Sequence, residues 1–142
     1  MKIFYFLLVM TFLSAGLEAQ DLYEEEVPLT ESEIVAEQLK ETTRVLDEVS
    51  EVFQRFSDGY MEANEALKRV DLLSHSYEKA LKTVLPEGEA LHGMMKAMFS
   101  QVEQYLVHFK NTDREDPVIN IKIINIKREI NQEMFRLGNM YL

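Results

Sequence analysis

The 142-residue chain has no cysteine and no tryptophan, three histidines, three prolines, five glycines and no Asn-x-Ser/Thr acceptor. Each scarcity removes a class of protein. Without cysteine there is no disulfide framework, which excludes the stapled toxins and growth factors, along with thiolate metal sites and cysteine nucleophiles. Stability must come from packing. Gly16, Gly59, Gly88, Gly93 and Gly138 are too scattered to cradle a phosphate, and no Gly-x-Ser-x-Gly elbow raises a serine nucleophile. After residue 19 no apolar run is long enough to span a bilayer, and no N-glycan is expected.

What the chain has in excess is negative charge: 25 acidic against 15 basic residues, a formal net of −10. That sign repels nucleic acid, so no nucleic-acid partner is expected. The distribution is uneven. Residues 118–142 carry Lys122, Lys127, Arg128 and Arg136 against Glu129 and Glu133, a net of +2, whereas residues 20–117 carry a net of −12. A basic last segment packing on an acidic remainder is the simplest explanation.

Residues 1–19 have the form of a secretory signal peptide, with Lys2 as the positive end, Ile3 to Leu13 as the apolar stretch, and small residues after it. Cleavage after Ala19 leaves the polar start Gln20 and Asp21; Gly16 is the other small-residue site. Residues 20–29 then form an acidic leader expected to be disordered, in which Tyr23 lies among Asp21, Glu24, Glu25 and Glu26. A tyrosine in such company suits sulfation in the export route, and the tail suits docking on a basic surface of a protease or receptor. A solvated leader with no role is the plainer reading.

Residues 30–142 are expected to form one helical domain. From Val35, steps of four and three reach Leu39, Thr42, Leu46, Val49, Phe53, Phe56, Tyr60, Ala63, Leu67, Val70, Ser74, Tyr77, Leu81 and Val84. Thirteen of these 15 positions are apolar in a chain that is 46% hydrophobic, which marks a helical stripe. Thr30 and Glu33 make a capping box, so the first helix starts there. Ser57, Asp58 and Gly59 end it, although the stripe continues in phase. A single rod of that length could not bury its stripe in so small a chain, so two helices are expected, the second over Tyr60–Leu85. Glu51 with Arg55, Glu65 with Arg69 and Glu78 with Lys82 have the spacing of solvent-side ion pairs.

Pro86, Glu87 and Gly88 break the chain. A third helix to about Lys110 presents Leu91, Met95, Met98, Val102, Tyr105 and Phe109, widened by Met94, Phe99 and Leu106. Asn111 to Asp116 is a loop, and Asp116 before Pro117 starts the last helix. Ile119, Ile121, Ile124 and Ile126 alternate as in a strand, yet Ile119, Ile123, Ile126, Ile130, Met134, Leu137 and Tyr141 share one helical face, and a lone strand has no partner. Helix is the expectation, capped at Gly138 and Asn139. The fold class is therefore all-α, an antiparallel four-helix bundle.

Chemistry is sparse. Glu89 and His92 have the Glu-x-x-His spacing of carboxylate-bridged metal bundles, but neither His75 nor His108 completes a second copy, so a surface histidine is the better reading and no metal or cofactor is expected. Carboxylates on amphipathic helices fall on the wet side, where nothing tunes them for proton transfer. Lys68 with Arg69 and Lys127 with Arg128 are dibasic, but both pairs lie inside expected helices, which argues against a peptide precursor. Met94, Met95 and Met98 are flexible and polarizable, fit to line a hydrophobic-ligand site or to fill a core. In being exported, helical and free of cysteine, the chain resembles the exchangeable apolipoproteins of insects in general plan. It also resembles the short helical proteins of invertebrate secretions, some of which block clotting or complement proteases. The expectation is a secreted, non-enzymatic binding or inhibitory protein acting on another extracellular protein. A carrier of lipid or another hydrophobic small molecule is the alternative, and a self-associating structural protein a third.

Overall fold

Thr30 shows how the first helix is set. In the computed structural model, which describes residues 27–142, its hydroxyl accepts from the Glu33 amide at 3.1 Å while the Glu33 carboxylate accepts from the Thr30 amide at 2.9 Å. Two of the four orphan donors at the helix start are thereby satisfied, for about 1 kcal/mol. Helix α1, Glu31–Ser57, follows. It ends at Gly59, whose φ of 81° only glycine adopts without strain; the Gly59 and Tyr60 amides return to the carbonyls of Phe56 and Arg55. Residues 1–19, read as signal peptide, and 20–26 of the leader lie outside the described residues.

Three more helices complete the described chain: α2, Ala63–Ala80; α3, Glu89–Thr112; and α4, Pro117–Tyr141, with a 3-10 turn at Pro86–Gly88 ahead of α3. No strand occurs among the described residues. The alternating isoleucines of α4 are helical because Asp116 caps the start, accepting from the amides of Val118 and Ile119, and Pro117 supplies a preset φ. α1 packs on α2, α2 on α3, α3 on α4 and α4 on α1, around one shared apolar core.

The buried line of α1 differs from the expected stripe. Val35, Gln38, Thr42, Val45, Val49, Val52 and Phe56 are its buried positions along with Leu46, whereas Leu39 and Phe53 are only partly buried. The line keeps three-four spacing but turns by part of a residue step, and it passes through Gln38, a polar position that hydrophobic counting discards. Gln38 donates to the Gly88 carbonyl at 2.9 Å, and Thr42 shares a 2.9 Å hydrogen bond with the Tyr77 hydroxyl, both buried. Hydrogen bonding makes the burial of Thr42 tolerable, whereas Gln38 is satisfied through its Nε2 only and its Oε1 is buried without a partner among the described residues.

Several expected boundaries move. α2 is shorter than Tyr60–Leu85 at both ends. Tyr60 is 76% exposed, and Met61 is the residue that enters the core. Beyond Ala80, Leu81, Val84 and Leu85 still pack on the core, but in a non-helical segment, since Leu85 must be extended ahead of Pro86. α4 runs through Gly138 and Asn139 to Tyr141; Gly138 lies where the Leu39 side chain of α1 comes close. The Glu65–Arg69 pair forms at 3.5 Å, but Glu78 turns to α3, within 3.7 Å of both His92 and Lys96, in place of Lys82. No helix of the described residues is long and apolar enough to cross a membrane.

Candidate interaction surface

α4 turns Ile123, Ile130 and Leu137 into the core and packs Ile119, Ile126, Met134 and Tyr141 partly against it, and its other large apolar residues face outward. Of the eleven exposed large hydrophobic residues among those described, six fall between Val118 and Leu142: Val118, Ile121, Ile124, Phe135, Met140 and Leu142. Phe135 is 73% exposed. At 100° per residue Ile124, Phe135 and Leu142 lie almost directly above one another, with Ile121 a short way round. Single exposed apolar side chains are ordinary, but a row of them on one helix marks a contact surface.

Polar groups punctuate that row. Arg128 lies between Ile124 and Phe135, its guanidinium held by Asn125 at 3.0 Å, and Asn131 and Gln132 are exposed beside it. On the flank toward α3, Arg136 forms a bidentate pair with Glu133 and donates to the Glu87 carbonyl at 3.4 Å. The Arg136 guanidinium holds the Glu133 carboxyl below the usual carboxylate range. On the flank toward α1, Lys127 donates to Ser50 at 3.0 Å, and Ser32 donates to the Tyr141 carbonyl at 3.0 Å. The row is thus anchored at both edges before any partner arrives.

The other candidates fall elsewhere. Met95 and Met98 are fully buried in the core and Met94 is partly buried against it. A cleft of about 430 Å³ opens between α1 and α2 over an apolar floor of Val52, Leu72 and Leu73, rimmed by Glu48, Glu51, Arg55 and Arg69. His92 stacks on Tyr77 with ring centroids 5.8 Å apart, and its Glu-x-x-His partner Glu89 is not the carboxylate beside it; Glu78 is. Among the described residues no group of three or more His, Asp or Glu side chains is placed to hold a metal ion. Burial raises the Tyr77 phenol, against the opposing hydrogen bond of Thr42, and burial followed by the Asp71 carboxylate raises Glu103. Tyr23, Glu24, Glu25 and Glu26 lie outside the described residues.

No family model, curated protein or solved structure matches the chain. The candidate surface therefore rests on geometry alone. Sequence reasoning missed it, although a signal was present. Isoleucine at every second residue of a helix supplies both faces, so the strand-like alternation of Ile119 to Ile126 encodes an inner and an outer apolar row.

Proposed function

We propose that this is a secreted, non-enzymatic protein that works by contact with another protein, and that the outer face of α4 is the contact surface. One observation carries the reading: among the described residues, five of the eleven exposed large hydrophobic residues lie on a single helix, with Leu142 a sixth just past its end, in the one basic segment of an acidic chain. Exposed apolar rows flanked by charge are the ordinary anatomy of protein contacts.

Export by the signal peptide at residues 1–19 belongs to the same proposal, supported by Lys2 and the apolar stretch Ile3 to Leu13. So does the acidic leader, in which Tyr23 and Glu24 to Glu26 form a second, polar contact of opposite sign to α4. The antiparallel arrangement of the bundle is likewise proposed. Ser32, Thr43 and Ser50 of α1 meet Tyr141, Met134 and Lys127 of α4, numbers that fall as the others rise. Phe53 and Phe56 meet Tyr105 and Phe109 with numbers rising together, as expected of helices diagonal to one another.

A photo-crosslinking residue placed at Gln132, beside the apolar row, tests the reading in the fluid into which the protein is exported. A protein adduct from position 132, absent when the same group replaces Lys68 on α2, is expected. Adducts from α2 with none from α4 would overturn it. The carrier reading draws instead on the α1–α2 cleft, whose apolar lining includes Leu72, 69% exposed. Stoichiometric lipid released from the gently purified protein in native mass spectrometry would favour it.

A further inference from the structure

The apolar row on α4 has a spacing that names its partner. From Ile121, alternating steps of three and four reach Ile124, Arg128, Asn131, Phe135, Gly138 and Leu142. That is the repeat by which one helix lies along another. The core-facing residues of α4 follow a separate line through Ile123, Ile130 and Leu137, so the exposed Ile121, Ile124, Phe135 and Leu142 are surplus to the core. Resting on the reading of α4 as the contact surface, we propose that its partner is a second copy of this chain, α4 against α4 running in opposite directions.

The argument is the symmetry of the seam. In an antiparallel helix pair related by a two-fold axis, positions equidistant from one midpoint face each other. A midpoint between 129 and 130 places Ile124 of one copy on Phe135 of the other, Arg128 on Asn131, and Ile121 on Gly138, and the axis repeats each layer. Apolar side chains meet apolar side chains in the Ile124 layer. Arg128 meets a neutral amide and not another cation. Ile121 falls opposite Gly138, which is half-buried and turned toward Leu39 of α1, so the paired stretch frays at that layer. Alternating spacing reverses onto itself in any helix pair, so the chemistry of the layers is what speaks: Ile124 with Phe135 and Arg128 with Asn131 are each compatible with their own reversal, and Leu142 falls beyond the paired stretch, opposite Pro117. The polar pair at the centre sets the register at some loss of affinity, as a seam asparagine does in coiled coils.

Charge opposes contact through this face least. Two copies each carrying −10 repel wherever acidic surface meets acidic surface, but residues 118–142 carry +2 against −12 for residues 20–117. Meeting through α4 puts basic segments between the two acidic bodies. Ile124 and Phe135 are 57% and 73% exposed, so changing them leaves the core of each copy intact.

The test is the mass of the secreted chain in solution, by size-exclusion chromatography with light scattering and by sedimentation over roughly 1–100 μM, the range for a contact of modest area. The native chain is expected to be dimeric at the upper end. Ile124→Lys and Phe135→Glu should each weaken association at least about tenfold with unchanged helical circular dichroism. The double variant Ile124→Lys/Phe135→Glu should dimerise again, because the introduced ammonium of one copy faces the introduced carboxylate of the other. A native chain monomeric throughout, single variants that dimerise as well as the native chain, or a double variant as monomeric as the singles would each overturn the proposal. If the native chain is monomeric while Phe135→Glu abolishes the Gln132 adduct with a different protein, only the choice of partner fails. If the adduct too is unaffected, the reading of α4 as contact surface fails with it.

Discussion

Thr42 and Tyr77 illustrate how a single polar pair can set the register of two helices. Their hydroxyls lie 2.9 Å apart in the core, with Thr42 fully buried and Tyr77 almost so. Removing one partner leaves the other without its hydrogen bond in a dry site, at a cost of about 1–3 kcal/mol. Removing both exchanges a satisfied pair for an apolar contact, which is close to neutral. Thr42→Val and Tyr77→Phe are therefore expected to destabilise the chain separately by about 1–2 kcal/mol in urea titrations, and together by less than their sum. Glu103 supplies the pH-dependent counterpart. Desolvation, reinforced by Asp71 and opposed by His75, holds its carboxyl above the ordinary range, so its ionised form opposes folding. The penalty is absent below the ordinary carboxylate value, where both states hold the proton, and is complete above the raised one. Glu103→Gln should accordingly raise the melting temperature at pH 7, and the gain should fade as the pH is lowered to about 3. A gain that persisted at low pH would assign the effect to something other than this carboxyl.

At the scale of the element, what was legible depended on chemistry that is local. The Thr30 and Glu33 box, the Gly59 stop and the Asp116-Pro117 start are each decided within a few residues, and the structure has all three where the sequence places them. The inner faces of α3 and α4 follow from spacing alone. The ends of α2 were not legible, since the choice of Met61 over Tyr60 for the core and the early exit at Leu81 depend on how a short connection spans the neighbouring helices. Nor was the line through Gln38, because the Gly88 carbonyl that accepts from its Nε2 is 50 residues away. The outer row of α4 escaped for a different reason: searching for the face that will be buried passes over the one left out. The two rows predict opposite responses. Ile130→Ala, fully buried, should cost about 2–5 kcal/mol in urea titrations. Phe135→Ala, measured at concentrations where the chain is monomeric, should change stability by no more than about 0.5 kcal/mol. A large loss from Phe135→Ala would mean that the outer row belongs to the fold.

For the whole molecule, the absence of cysteine leaves one apolar core to hold four helices, and the two functional readings make different demands on it. Contact through α4 needs the core closed and rigid, so that the seam keeps its shape. A carrier that admitted ligand between its helices would need the core to open, and the residues bearing that burden would include Met95 and Met98, which have no exposed area. Methionine suits either duty, being flexible enough to repack around a ligand and shaped to fill an irregular gap. Energetics separates them. If Met98 is packing, Met98→Ala leaves a cavity and costs about 2–4 kcal/mol whether or not lipid is present. If it lines a ligand space, added fatty acid should stabilise the native chain by mass action, and Met98→Ala should shrink that stabilisation. Closed packing is the expectation here. Thermal unfolding followed by circular dichroism should show no rise in midpoint with excess medium-chain fatty acid for the native chain, and the same large fall for Met98→Ala with and without it. A ligand-dependent rise that Met98→Ala removes would move the function from the outside of the helices to the space between them.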